Sequence, residues 1–146
     1  MSSFLCWVQV MTLWAYVLRR NFPCVKFFEI DHPATACLKA KGVETMGRRD
    51  NHYLIAEDLG ERQLVDVLGN TVWDQELSSI IVAEGLLMYL PLDAVGELFK
   101  QCAVSSGVGS RIVFTYVGRR PNGRPDAGSW SWLVIWLLKA SGEPWL

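Results

Sequence analysis

Short apolar runs alternate with segments of helical periodicity along most of the chain. The runs are rich in β-branched and aromatic residues, so they are predicted to be strands. They lie at Phe4–Val10, Val25–Ile30, Tyr53–Ala56, Ile80–Ala83 and Arg111–Val117. The fourth run begins with three consecutive β-branched residues, which is typical of a strand buried on both faces of a parallel sheet. The last run is also expected to be buried.

Helices are predicted between these strands. Their expected positions are Ala15–Arg20, Pro33–Lys41, Gly60–Leu68, a segment from Pro91 to the Ser105–Gly109 cluster, and Ser129–Ala140, which is apolar nearly all round. In the second helix the buried stripe is expected to be Ala34, Cys37 and Leu38, with Gly42 as the stop. In the third helix Leu64, Val65 and Leu68 are expected to share the buried face.

Strands that alternate with helices of this length predict an α/β domain with a mainly parallel, twisted sheet. The 146 residues have room for a single domain over positions 1–146. Since parallel strands place their carboxyl ends at one edge, the acids Asp31, Asp58 and Glu84 are expected to converge there. Such a set suits a ligand rich in hydroxyl and amino groups. For Glu84 the alternative is that it simply begins a solvated loop.

Composition places the chain among globular proteins and narrows its partners. Hydrophobic residues make up 51% of the chain and charged residues 20%, and the net charge of −1 does not favour nucleic acid. Four cysteines without a C-x-x-C pair and two histidines do not have zinc-ligand spacing, so no metal site is expected. The cysteines are interpreted as reduced, mostly buried thiols of a cytoplasmic protein.

The apolar stretch Phe4–Leu18 raises the alternative of a membrane or targeting segment. About twenty apolar residues are needed to span a bilayer. A secretory signal would carry its positive charge before the apolar run, whereas Arg19 and Arg20 follow it. A buried strand and a short helix are therefore favoured, and no membrane association is expected.

Four segments carry a resemblance to a known family: Phe28–Thr35 (F-E-I-D-H-P-A-T), Asp58-Leu59, Ala83–Pro91 (A-E-G-L-L-M-Y-L-P) and Gly109–Phe114 (G-S-R-I-V-F). Together they resemble the leucine carboxyl methyltransferase family, in particular its S-adenosylmethionine-dependent O-methyltransferases of secondary-metabolite and polyketide synthesis. The resemblance implies a Rossmann-like class I methyltransferase fold, incomplete at both ends, with residues 129–146 as the start of a Trp-rich cap segment.

The resemblance also implies S-adenosyl-L-methionine as the cofactor and assigns residues to it. Asp31 would accept hydrogen bonds from the ribose hydroxyls and Asp58 from the adenine amine, while Leu59 would pack on the ring. Glu84 would bind the ammonium group of the methionine portion.

His32 and Tyr89 are candidates for the substrate pocket. His32 could serve as a base for a hydroxyl acceptor, or it could cap the helix that follows it. No catalytic residue is assigned, because the cofactor supplies the leaving group and catalysis is mostly alignment.

The sequence departs from the family at the glycine-rich turn after the first strand, Gly-x-Gly-x-Asp-Thr-Arg. Val8 and Val10 stand at the glycine positions, Thr12 at the acid position and Trp14 at the arginine position. Each change removes a contact or adds bulk where the backbone would approach the cofactor.

Two functions remain in view. The first is methyl transfer to a carboxylate or hydroxyl oxygen of a small molecule or a peptide terminus. The second is a non-catalytic remnant of the fold that binds a partner or itself through the carboxyl-terminal helix, since four of the seven tryptophans lie in the last seventeen residues. A nicotinamide dehydrogenase is not favoured, because the G-x-G-x-x-G fingerprint is absent.

Overall fold

The computed structural model describes residues 3–8, 17–18, 20–47, 50–121, 125–126 and 136. Five strands form one parallel sheet in the order β3-β2-β1-β4-β5. Their bounds are β1 Ser3–Val8, β2 Lys26–Asp31, β3 His52–Ala56, β4 Ser79–Glu84 and β5 Arg111–Phe114. Two short strands, β6 Gly118–Arg119 and β7 Pro125–Asp126, pair antiparallel. The predicted α/β fold with a mainly parallel sheet is confirmed.

Among the described residues, the helices α1 Pro33–Met46, α2 Leu64–Gly69 and α3 Leu92–Val104 cover parts of the sheet, and a 3₁₀ turn lies at Leu87–Tyr89. Side chains alternate across β2, so Phe28 and Ile30 join the core that contains residues of α2 and α3. On the opposite face of β2, Glu29 and Asp31 bond to Lys39 of α1. Helices therefore pack on both faces of the sheet.

The outer part of the sheet is less covered than predicted. In β4 Ile81 is 2% exposed, but its neighbour Ile80 is 44% exposed, so the described residues bury one face of the strand rather than both. In β5 the strand ends at Phe114, and Val113 and Phe114 are exposed. The reason is position, since β5 lies at the end of the strand order and bonds to β4 alone within the described part of the chain.

The expected buried stripe of α1 is wrong. Ala34, Cys37 and Leu38 are exposed, and the buried residues are Ala36, Lys39 and Val43. The helix turns this face to the sheet because Lys39 pairs there with two acids of β2. It also continues past Gly42 to Met46, since glycine is tolerated inside a helix at a cost of about 1 kcal/mol. Gly47, with φ of 90°, caps the end instead.

The observed bounds and buried residues of the later helices differ little from the predicted ones. α2 begins at Leu64 rather than Gly60, because residues 58–62 form a separate turn, and it buries Val67 in place of Val65. α3 follows Pro91 and ends before Ser105, as predicted, and its buried residues are Leu98 and Cys102.

Other predictions concern cysteines and segments outside the described residues. Cys24 and Cys37 are exposed, so the expectation of mostly buried thiols is wrong for them; Cys102 is buried, and burial raises its pKa to about 11. Of the predicted helix at 15–20 the structure describes residues 17, 18 and 20, with 17 and 18 helical, and of the predicted helix at 129–140 it describes residue 136. The turn positions 10, 12 and 14 lie outside the described residues. No helix in the described ranges is long and apolar enough to cross a membrane.

Candidate ligand site at the carboxyl edge of the sheet

The three acids predicted to share one edge do so. Asp31 is the last residue of β2, Glu84 is the last residue of β4, and Asp58 follows the end of β3 by two positions. β1 lies between β2 and β4, with Trp7 opposite both Ile30 and Ala83 in the parallel register. The carboxyl ends of the strands therefore form one row, as expected for an open α/β sheet.

Asp31 is held by the fold on both oxygens. Its Oδ1 accepts a hydrogen bond from the His32 backbone N–H at 2.9 Å, and its Oδ2 accepts one from Lys39 Nζ at 2.9 Å. The residue is fully buried. A carboxylate oxygen has two acceptor directions, so each oxygen keeps one beyond these contacts.

Lys39 links Asp31 to a second buried acid. Its Nζ donates at 2.8 Å to Glu29 Oε1, and the other Glu29 oxygen lies 3.1 Å from His52 Nε2. The four side chains of this buried ionic cluster, Glu29, Asp31, Lys39 and His52, are at most 2% exposed.

The cluster shifts the pKa of two of its members. Burial acts to raise the pKa of Glu29, but bonds to His52 and Lys39 outweigh it and lower the pKa below its ordinary value. Burial likewise acts to lower the pKa of Lys39, but the bonds to Asp31 and Glu29 outweigh it and raise the pKa. Both groups are therefore charged at neutral pH.

Sequence reasoning missed Glu29, Lys39 and His52. A usable signal existed, because Glu29 and Asp31 are two residues apart on a strand and therefore share a face. Lys39 lies three residues after Ala36 and four before Val43, so it shares their face of the helix. A lysine on that face could have been predicted to pair with the two acids of β2.

His32 caps α1. Its Nδ1 accepts from the Ala34 backbone N–H at 3.3 Å, so the ring proton of the neutral form lies on Nε2. Nε2 is 3.7 Å from Asp58 Oδ2, longer than a hydrogen bond but close enough for electrostatic attraction. The capping alternative given for His32 is therefore the one observed, and the ring also adjoins the site.

Asp58 organises the turn that follows β3. Its Oδ1 accepts from the Gly60 N–H at 2.8 Å, and its carbonyl oxygen accepts from the Arg62 N–H at 2.9 Å. Its Oδ2 is not used in these contacts, and the side chain is 44% exposed. Leu59 is half-buried and packs against the core beside this turn. The turn thus leaves one acidic oxygen at the edge of the sheet.

Glu84 stands at a sharp turn between β4 and the 3₁₀ turn that contains Tyr89. Gly85 has φ of 67°, a conformation that favours glycine, and its N–H donates to Thr115 Oγ1 at 2.8 Å. The Thr115 N–H donates to the Ala83 carbonyl oxygen at 3.1 Å, which fixes the turn to the end of β5. Glu84 is half-buried, and its carboxylate has no hydrogen bond or ion pair with any described residue.

The edge does not form a metal centre in the part of the chain that the structure describes, where no group of three His, Cys, Asp or Glu side chains could hold an ion. Its accessible groups are acceptors, namely one oxygen of Asp58 and the carboxylate of Glu84; the buried Asp31 also keeps acceptor directions that the described hydrogen bonds do not use. Such groups bind hydroxyl, amine and ammonium donors.

Comparison with known sequences supports a family assignment. The sequence profile of the leucine carboxyl methyltransferase family matches residues 14–103. A Streptomyces avermitilis protein provisionally named an S-adenosyl-L-methionine-dependent methyltransferase is 32% identical over 127 residues, 83% of this chain and 44% of that protein. A Mycobacterium ulcerans protein of the same provisional name is 34% identical over 91 residues, 61% of this chain and 30% of that protein. The chain thus spans less than half the length of these relatives.

Solved structures share the fold at low sequence identity. The mitomycin 7-O-methyltransferase superposes with a TM-score of 0.64 and 13% identity, over 94% of this chain and 36% of that one. A provisionally named methyltransferase from Thermobifida fusca gives a TM-score of 0.65 and 15% identity, over 99% of this chain and 54% of that one. The chain has the class I methyltransferase fold, and it belongs to the leucine carboxyl methyltransferase family.

Proposed function

We propose that this chain binds S-adenosyl-L-methionine and serves in methyl transfer to a carboxylate or hydroxyl oxygen of a small molecule or a peptide terminus. The observation that carries the proposal is the row of acids at the carboxyl edge, Asp31, Asp58 and Glu84. The family and the names of its relatives support the same cofactor.

The available acceptors fit the donors of this cofactor. Its ribose presents two hydroxyls, its adenine an exocyclic amine and its methionine portion an ammonium group, while the edge presents carboxylates. Glu84 fits the ammonium group best, since a half-buried carboxylate without a described partner is stabilised by binding a cation. Asp58 offers Oδ2 to the amine, beside Leu59. Asp31 is fully buried, so a ribose reaches its remaining acceptor directions only after the residues that cover it move.

The residues of the edge would bind and orient rather than exchange protons. The bound cofactor supplies a methyl group activated by its sulfonium, and the protein contributes alignment of the acceptor oxygen with it. The Gly85 turn and its bond to Thr115 would hold Glu84 in place. His32 Nδ1 accepts the capping hydrogen bond of α1, and Nε2 faces Asp58. His32 would therefore hold Asp58 in place rather than act as a base.

Calorimetric titration with S-adenosylhomocysteine tests the cofactor part. Glu84→Gln should weaken binding by about tenfold to a hundredfold, the loss expected for a charge-assisted hydrogen bond. Glu76→Gln is the matched control, because Glu76 is exposed and precedes β4 at the opposite edge of the sheet. A folded parent that binds no ligand, or equal affinities in both variants, would contradict the assignment.

The oxygen acceptor can be tested by the stability of the product. The chain is incubated with methyl-labelled S-adenosylmethionine and a panel of phenols, carboxylic acids, amines and thiols, and the label should appear on phenols or on carboxylic acids. Methyl esters release methanol in mild base, whereas methyl ethers do not, so base treatment separates a carboxylate from a hydroxyl acceptor. Label retained on nitrogen or sulfur compounds would overturn the O-methyl proposal.

A further inference from the structure

Lys39 of α1 is a buried cation that the cofactor assignment does not use. Its side chain is 2% exposed, and its Nζ lies 2.8 Å from Glu29 Oε1 and 2.9 Å from Asp31 Oδ2. Replacing a buried ion pair by apolar residues of similar size is often neutral or stabilising. Stability alone is therefore a weak reason for a lysine at this position.

The contacts of Lys39 fix the orientation of Asp31. The His32 N–H holds Oδ1 and Lys39 holds Oδ2, so the carboxylate is anchored at both oxygens. Without Lys39 one anchor remains, supplied by the adjacent residue in the chain, and the side chain gains rotational freedom. Glu29 in turn holds Lys39, and His52 lies within bonding distance of Glu29.

We propose that Lys39 is a positioning residue for ligand binding: it orients Asp31 so that the remaining acceptor directions of the carboxylate meet the two ribose hydroxyls. The inference rests on the proposed function. Lys39 is proposed to act through Asp31 and not on the ligand directly, so its effect should appear only for ligands that carry the hydroxyls.

A double variant that keeps the net charge of the cluster tests this role. Lys39→Met alone would leave two buried acids without their cation and is a poor test. Glu29→Gln/Lys39→Met removes one charge of each sign and so keeps the net charge of the cluster. Glu29→Gln is its control, since it keeps the contact between Lys39 and Asp31.

The variants are titrated with S-adenosylhomocysteine and with its 2′,3′-dideoxy analogue. Relative to Glu29→Gln, the double variant should bind S-adenosylhomocysteine about tenfold more weakly, the effect of losing one well-oriented hydrogen bond to a charged group. Both variants should bind the analogue within about twofold of each other, because that ligand does not use the Asp31 acceptor. General damage to the fold would weaken both ligands equally and would overturn the inference.

A second comparison checks that the effect passes through Asp31. In a Glu29→Gln/Asp31→Asn background, which leaves neither acid of the pair charged, adding Lys39→Met should leave the affinity for S-adenosylhomocysteine unchanged; a further loss would overturn the inference. Double variants that circular dichroism shows to be unfolded would mean that Lys39 serves the fold itself, which also overturns it. If the parent binds no S-adenosylhomocysteine, the proposed function fails and this inference fails with it, whereas an unaffected double variant refutes the positioning role alone.

Discussion

Gly107 is a position where the structure leaves no room for a side chain. It lies in the connection between α3 and β5, and its N–H donates to the Leu77 carbonyl oxygen at 3.0 Å. A Cβ placed on Gly107 would overlap the Glu76 carbonyl oxygen and would lie 2.9 Å from the Leu77 carbonyl carbon. Both obstacles are backbone atoms, so a rotamer change cannot relieve the clash.

Gly107→Ala should therefore destabilise the fold by about 2–4 kcal/mol. Overpacking against a rigid surface costs about 1–3 kcal/mol, and the displaced hydrogen bond adds about 0.5–1.5 kcal/mol. The affected connection also joins the starts of β4 and β5, since the Ser79 N–H donates to Ser110 Oγ at 2.9 Å. Damage there would disturb the register that places Glu84 opposite the end of β1.

Urea unfolding followed by circular dichroism measures the effect. At an unchanged slope the midpoint of Gly107→Ala should fall by about 1–2 M. Gly96→Ala is the control, because Gly96 lies within α3 and a Cβ there would meet no atom within 4 Å. That variant should gain about 0.5–1 kcal/mol from helix propensity. A midpoint of Gly107→Ala at or above that of the parent would refute the steric reasoning.

Two further predictions concern pH and the first strand. Glu29 has a lowered pKa, so its contribution to stability is present above the ordinary value of 4.5 and is lost as pH falls through the lower folded value. Lys39 has a raised pKa, so its contribution to stability is present below the ordinary value of 10.5 and is lost as pH rises through the higher folded value. The urea midpoint of the parent should therefore fall at both acidic and alkaline pH, and it should fall less in Glu29→Gln/Lys39→Met. An equal change of midpoint with pH in the parent and the double variant would contradict this. Val8→Gly/Val10→Gly/Thr12→Asp should raise affinity for S-adenosylhomocysteine in calorimetry, since it removes bulk and restores an acceptor worth about 1.5–3 kcal/mol. A folded triple variant without a gain would refute that role of the turn.

The backbone plan of the sheet could be predicted from the sequence. Runs of β-branched and aromatic residues marked the strands to within a few residues, and parallel topology then required Asp31, Asp58 and Glu84 to share an edge. This inference needed only chain direction, so errors in helix boundaries did not affect it.

The environment of each acid could not be predicted in the same way. Asp31 is paired in the interior with Lys39, which lies on another element. The hydrophobic periodicity of α1 alone predicted that Leu38 faces the core. Leu38 is instead 62% exposed. The helix instead turns Lys39 toward the sheet, where it pairs with Glu29 and Asp31. A pattern of apolar residues does not indicate such a polar contact.

The exposure of β5 was missed for a related reason. Val113 and Phe114 have the composition of a buried strand, but burial of a strand depends on its place in the sheet order. Composition does not report that order.

The most direct test of a cofactor site at the carboxyl edge is a titration of ¹⁵N-labelled chain with S-adenosylhomocysteine, followed by amide chemical shifts. Glycine amides mark both edges of the sheet: Gly60 and Gly85 adjoin Asp58 and Glu84, whereas Gly107 and Gly109 precede β5 at the opposite edge. We expect saturable shifts at Gly60 and Gly85 with Gly107 and Gly109 unmoved. Shifts confined to Gly107 and Gly109, or no shifts at saturating ligand in a folded chain, would contradict the account.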